Sequence, residues 1–116
     1  MYELLYVSLA TEDLSEGDLR GLVQNAQKSN AGIDVTGLLA FDEESGSFFQ
    51  ILEGRKDQVL GIYSKIKTDS RHKDVRVLLE DNRDDRRFPD WSMELVDAAY
   101  FKAIVFENLS PSQAAE

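Results

Sequence analysis

The stretch Ile33-Asp34-Val35-Thr36-Gly37-Leu38-Leu39-Ala40-Phe41, then Asp42-Glu43-Glu44-Ser45-Gly46-Ser47, then Phe48-Phe49-Gln50-Ile51-Leu52-Glu53-Gly54, decides the fold. Two apolar runs of strand-forming residues flank a polar turn that contains a glycine. That pattern is a hairpin of two strands, Ile33 to Phe41 and Phe48 to Glu53, with Gly54 as the break. Gly37 weakens its strand and marks a point where another backbone comes close.

Helical patterns lie on both sides of the hairpin. Upstream, Leu19, Leu22, Val23 and Ala26 recur at the spacing of an amphipathic helix. Ser15-Glu16-Gly17-Asp18 reads as its capping box, with Ser15 as N-cap and Asp18 three residues on. The helix ends near Asn30-Ala31-Gly32, where Asn and Gly tolerate the left-handed conformation. Downstream, Val59, Ile62, Tyr63 and Ile66 repeat the spacing and predict a helix over 56–68. Tyr2 to Leu9 is an apolar first strand, and Val75 to Leu79 is a fourth. Asp81 to Asp90 is a charged loop, and Trp91 to Val96 is a short fifth strand. Residues 98–107 form a short helix over the open face of the sheet, and 108–116 form a frayed tail.

The order is β-α-β-β-α-β-β. This is an α+β, ferredoxin-like βαββαβ arrangement with an additional fifth strand and two helices on one face, plus a short C-terminal helical extension. Residues 1–97 form the domain and 98–116 the extension. The first and third strands lie together at the sheet centre in such a fold. Tyr6 and Gln50 then become buried neighbours if their faces look toward the helices. Trp91 and Met93, two apart on a regular strand, share one face.

The chain has 116 residues, 42% hydrophobic and 30% charged, which suits one globular domain with room for one ligand. Thirteen basic residues against 22 acidic ones leave a net charge of −9. That disfavours nucleic acid and anionic membranes as partners. The absence of cysteine excludes disulfides, thiolate metal sites and cysteine nucleophiles, and a single histidine removes most metal and triad chemistry. No signal-peptide pattern and no long apolar run is present, so the expected location is the cytoplasm.

A few polar residues do not suit a plain core. Gln50 within Phe48-Phe49-Gln50-Ile51-Leu52 is either bonded to backbone or water, or faces the polar edge of a ligand. Tyr6 is either a core tyrosine with one partner or part of the same edge. Asn30 is either a helix cap or an amide aimed into a cleft. Lys65 and Arg71 are surface charges or anion contacts, and His72 is structural or solvated. Trp91 anchors the last strand, and Met93 fills space. No nucleophile with a base, no phosphate loop and no spaced carboxylate pair accompanies them, so no enzyme activity is expected.

Six pieces together resemble the BLUF family of blue-light sensors that use a flavin. They are Leu4-Leu5-Tyr6-Val7-Ser8, Ala26-Gln27-Lys28-Ser29-Asn30, Val35-Thr36-Gly37-Leu38-Leu39, Phe48-Phe49-Gln50-Ile51-Leu52-Glu53-Gly54, Asp69-Ser70-Arg71-His72 and Arg87-Phe88-Pro89-Asp90-Trp91-Ser92-Met93. The resemblance covers residues 2–97 and implies non-covalent FAD, with FMN or riboflavin able to fit. It implies that Tyr6 donates an electron to the excited flavin and that Gln50 lies between them and rearranges. It implies that Asn30 bonds the carbonyl and imide edge, and that Trp91 and Met93 compete for a place near Gln50. Ser29 stands where the family often has Asn or His. Val23, Ile62 and Ile66 are candidates to sandwich the ring. The cofactor-binding candidates are Asn30, Gln50, Tyr6, Ser29, Lys65, Arg71, His72 and Ile66. The chain is too short for a cyclase or phosphodiesterase output domain, so the signal passes to a partner protein, and a homo-oligomer covers the outer sheet face.

Two other classes compete. A light-independent, small-molecule-binding regulatory domain of ferredoxin-like fold would be colourless when purified. An acylphosphatase-like enzyme needs a basic loop after the first strand, where Ala10-Thr11-Glu12-Asp13 is acidic. An RNA-recognition domain lacks its basic-aromatic stripe.

Overall fold

A computed structural model describes residues 1–107; the expected frayed tail, 108–116, lies outside the described residues. The elements are β1 (Tyr2–Ala10), α1 (Glu16–Ala31), β2 (Thr36–Asp42), β3 (Ser47–Gly54), α2 (Lys56–Thr68), β4 (His72–Asn82), β5 (Glu94–Val96) and α3 (Ala98–Glu107). The sheet order is β4-β1-β3-β2-β5. β5 runs parallel to β2, and the other neighbours are antiparallel. This is the expected α+β arrangement with its fifth strand added beside β2.

The two-residue period of the strands builds two cores. Leu4, Tyr6, Leu39, Phe48 and Leu52 face Leu19 and Val23 of α1 and Val59 of α2. Leu5, Leu38, Ala40 and Ile51 face Phe101 and Val105 of α3. So α3 covers the side of the sheet that α1 and α2 leave open.

Ser15 caps α1 as expected, accepting from the Asp18 backbone N–H while Asp18 accepts from the Ser15 N–H. The end of α1 differs from expectation. Gly32 stays right-handed at φ −67, and Asp34 takes the left-handed turn at φ 57. The Asn30 carbonyl accepts from both Ile33 and Val35 N–H groups, which moves the chain reversal two residues on. Ile33 is therefore outside β2, which begins at Thr36. At Gly37 a Cβ would lie 1.9 Å from the Ile51 carbonyl oxygen, so the close approach is real and only glycine fits.

β4 is longer than its apolar stretch. It pairs along β1 from His72 opposite Ala10 to Asn82 opposite Tyr2, so Asp81 and Asn82 belong to the strand, not to the charged loop. As an edge strand it carries exposed charges, which hide its length from hydropathy. β5 is shorter than expected, because residues 91–93 have irregular backbone. That breaks the alternation, and Trp91 and Met93 do not share a face. Met93 is buried in the helix-side core, while Trp91 packs against the α3-side core.

Candidate functional site

α1 and α2 each turn one stripe toward a common cavity of about 380 Å³. Leu22, Asn25, Ala26, Ser29 and Asn30 come from α1, and Gln58, Gly61, Ile62, Lys65 and Ile66 from α2. Both sets follow the i, i+3, i+4, i+7, i+8 spacing of one helix face. The sheet closes the cavity with Tyr6, Leu39, Phe48 and Gln50, and Asp69, Arg71 and His72 stand beside it. All eight cofactor-binding candidates line this one space. Val23 does not: it is buried in the core, and Leu22, Ala26 and Ile33 supply the apolar wall on that side.

At the sheet, Tyr6 and Gln50 sit directly opposite each other on β1 and β3. The Tyr6 hydroxyl donates to Gln50 Oε1. Gln50 Nε2 donates in turn to Met93 Sδ at 3.5 Å. Tyr6, Gln50 and Met93 thus form a buried chain, exposed by 1%, 5% and 1%. Burial pushes the Tyr6 phenol well above its ordinary 10.0, and Tyr63 and Asp69 push it the same way. It is a neutral donor at pH 7.

Two amides of α1 grip the segment that carries Met93. Asn30 Nδ2 donates to the Ser92 carbonyl and Gln27 Nε2 to the Met93 carbonyl, each at 2.8 Å. The Trp91 carbonyl accepts from Gly37 N–H at 3.0 Å. The Trp91 ring stacks on Phe88, with centroids 6.0 Å apart and planes at 9°. Upstream of it, the buried Glu53 carboxylate accepts from Thr36 Oγ1 (2.8 Å), Arg87 N–H (2.6 Å) and Phe88 N–H (3.0 Å). Arg87 Nη1 then donates to the Val105 carbonyl of α3 at 3.3 Å, and its Nε lies 3.2 Å from buried Glu3.

The charged candidates divide by their partners. Arg71 is forked onto Asp69, with Nη2 2.5 Å from Oδ2 and Nε 3.0 Å from Oδ1. The Arg71 side chain holds the Asp69 carboxyl down at about 2. Lys65 pairs with no carboxylate among the described residues, so its charge is the one left for an anion at the cavity. His72 Nδ1 lies 2.8 Å from Ser8 Oγ, and its ring packs 4.7 Å from that of Phe48. Burial lowers the His72 pKa, with Arg71 assisting and Asp69 opposing, so the ring is neutral at pH 7.

Asn25, Gln58, Asp69, Gln27 and Glu53 escaped the residue-by-residue reading. Helical spacing was the available signal for Asn25 and Gln58, which fall four residues before Ser29 and Ile62. Gln27 and Asp69 lie inside the stretches quoted for the BLUF resemblance. Glu53 also lies inside a quoted stretch, but a charge ending an apolar run reads on its own as solvated.

A flat ring with one polar edge fits this space. The cavity volume lies within the range of about 300–1,000 Å³ found for cofactor sites. Its helix walls carry the aliphatic Leu22, Ala26, Ile62 and Ile66, and its polar lining includes the primary amides of Asn25, Asn30, Gln50 and Gln58, which can both donate and accept. At Gly61 a Cβ would meet nothing within 4 Å, so the helix leaves room there. Each amide also keeps a second N–H beyond the one bonded to protein.

Comparison with known proteins agrees. Residues 1–94 match the family model described as BLUF, sensors of blue-light using FAD. The chain is 36% identical over 91 residues to photoactivated adenylate cyclase subunit beta of Euglena longa, covering 78% of this chain and 10% of that protein. It is 39% identical over 94 residues to the blue light- and temperature-regulated antirepressor BluF of Escherichia coli K12, covering 81% and 23%. The chain thus spans under a quarter of the length of these relatives. The structure superposes on BlsA in its photo-activated state with a TM-score of 0.79 at 25% identity, covering 98% of this chain and 89% of that one. With the Tyr6–Gln50 hydrogen bond in place at the sheet and an amide-edged slot between two helices, the chain belongs to the BLUF family, the flavin-binding sensors of blue light.

Proposed function

We propose that this domain converts blue light into a rearrangement of the Gln50 amide, passed through Met93 to a partner protein. The observation that carries it is the buried chain from Tyr6 through Gln50 to Met93 at the end of the cavity. Bound flavin supplies a ring that absorbs blue light and then accepts one electron. Ile62, Ile66, Leu22 and Ala26 hold that ring and exclude water, while Asn30 and Gln50 present N–H and C=O groups to its polar edge. FMN and riboflavin fit the same slot, since the residues around it address mainly a ring. Lys65 and His72 stand where they meet the substituents, with Arg71 largely committed to Asp69, and Ser29 lines the α1 wall.

Tyr6 is the oxidisable group. As its phenol loses an electron, the hydroxyl proton passes to Gln50 Oε1 along the existing hydrogen bond. Gln50 then rotates or tautomerises, and when the electron returns to Tyr6 a proton returns with it through Gln50. That restores the neutral phenol and leaves the amide, with its proton count unchanged, with a donor aimed into the cavity. With flavin bound, that Gln50 donor would bond the ring edge, lower the excitation energy and move the absorption red. The same rearrangement withdraws the N–H from Met93 Sδ, which removes one of the ties on the segment 91–93 that leads into α3. Trp91 lies on the opposite side of the sheet, so it competes for the place only if this segment moves.

The domain itself performs no chemistry on a substrate, and it works in the cytoplasm. Exposed Val77 and Leu78 make edge strand β4 the candidate contact for a downstream signalling protein or a second copy in a homo-oligomer. Residues 1–97 act as the sensor and the extension from 98 as its output. The test is a pair of variants: Tyr6→Phe and Gln50→Leu are expected to bind flavin and lose the reversible red shift. A normal red shift in Tyr6→Phe refutes the proposed proton and electron path.

A further inference from the structure

Residues 91–93 lie between the buried loop ending at Phe88 and the three-residue β5. They have no ladder of their own beyond the Gly37 bond to the Trp91 carbonyl. What seats Met93 is side-chain chemistry from α1. Val23, Gln27 and Asn30 fall on one stripe of that helix, which meets the cavity-lining stripe at Asn30. Val23 packs in the core, and the two amides reach the carbonyls of Ser92 and Met93 at 2.8 Å. Asn30 also lines the cavity, so its amide answers to the ligand as well. Gln27 does not line the cavity. Its side chain is half-buried, and the Met93 carbonyl is the partner of its amide N–H.

We propose that Gln27 is a positioning residue, a latch that holds the Met93 segment in its dark arrangement and sets how easily the segment leaves. The inference rests on the photosensor reading above. Met93 is tied at two points, Sδ to Gln50 and its carbonyl to Gln27. Light acts on the first tie, because rearrangement of Gln50 turns its N–H away from the sulfur. The second tie is independent of flavin and must break before Met93 can move with its backbone. Its strength therefore fixes the fraction of molecules that are already released in the dark. Removing it makes the dark state resemble the lit one at residues 91–107 while the colour change, which belongs to Tyr6 and Gln50, persists.

The experiment is hydrogen exchange on flavin-loaded protein, in the dark and under blue light, for wild type, Gln27→Leu and Gln27→Lys. Trp91, the sole tryptophan, gives a parallel readout through its fluorescence and its quenching by acrylamide. Gln27→Leu removes the donor, and exchange at 91–96 in the dark is expected to rise roughly three- to tenfold, the loss of one hydrogen bond. The light-minus-dark difference there shrinks, and the red shift keeps its size. Gln27→Lys retains an N–H donor on a longer arm and restores slow dark exchange.

Wild-type dark exchange at 91–96 in Gln27→Leu overturns the proposal. So does an increase spread evenly over β1 and α2, since the side chain would then only support the fold. Failure of the photosensor reading is a separate result. It would show as a wild-type spectrum that light does not change, while the dark comparison still decides whether Gln27 holds the segment.

Discussion

Gly61 gives a test in which two effects of one substitution have opposite signs. It sits mid-way along α2, on the stripe that faces the cavity, and a Cβ there would meet no protein atom within 4 Å. Replacing glycine by alanine in an open helix interior stabilises by about 0.5–1 kcal/mol. For a domain of this size that raises the melting temperature of the flavin-free protein by about 2–4 °C. Leu is nearly as good a helix former, so Gly61→Leu keeps most of this gain. Its side chain, however, enters the space that the ring needs. Overfilling a packed site costs about 1–3 kcal/mol, which weakens flavin binding roughly 5- to 150-fold. The assay is thermal melting with and without added FAD, together with a flavin titration. Gly61→Leu should melt higher than wild type without flavin and gain less from adding it. Wild-type affinity in Gly61→Leu would show that the ring does not lie between these helices, and the placement would be wrong.

Three further outcomes follow from the geometry. Met93→Ala should keep the red shift, because Tyr6 and Gln50 remain, and should lose the light-induced exchange change at 91–107; removing this buried side chain also costs about 2–5 kcal/mol of stability. Glu53→Gln keeps one acceptor but places its N–H₂ against one of the two backbone N–H groups, Arg87 or Phe88, and should lower stability by about 1.5–3 kcal/mol, read by urea unfolding. His72, the sole histidine, has its folded pKa depressed below 6.5, chiefly by burial. The unfolded chain therefore binds more protons as pH falls through 6.5, and stability present above that pH is lost below it. His72→Gln should remove this slope from a pH series of unfolding curves, and an unchanged slope would assign it elsewhere.

Much of this architecture is legible in the chain itself. The hairpin, the capping box at Ser15, the helix over 56–68 and the helix over 98–107 all follow from periodicity and local chemistry. The opposition of Tyr6 and Gln50 follows from topology plus the two-residue strand period. Tertiary pairing decided the rest. β4 is long because β1 offers it partners along its whole length, and its exposed charges conceal this. The turn after α1 falls on Asp34 because the Asn30 carbonyl takes two donors. Trp91 and Met93 part company because side chains on α1 and the Gly37 N–H hold 91–93 out of regular strand geometry. A buried carboxylate such as Glu53 becomes intelligible only once the backbone N–H groups it serves are in place. The cavity stripes were visible as helical spacing but mix polar and apolar residues, so a hydrophobic pattern alone passes over half of them.

The central claim is that light acts on a flavin held beside the Tyr6–Gln50 pair. The most direct measurement is the absorption spectrum of the purified protein in the dark, during blue illumination and after return to darkness. The account predicts oxidised flavin bands that move reversibly to longer wavelength, with all of the flavin released on denaturation because no covalent link holds it. Colourless protein that takes up no added FAD, or flavin-loaded protein whose spectrum does not move under blue light, would contradict it.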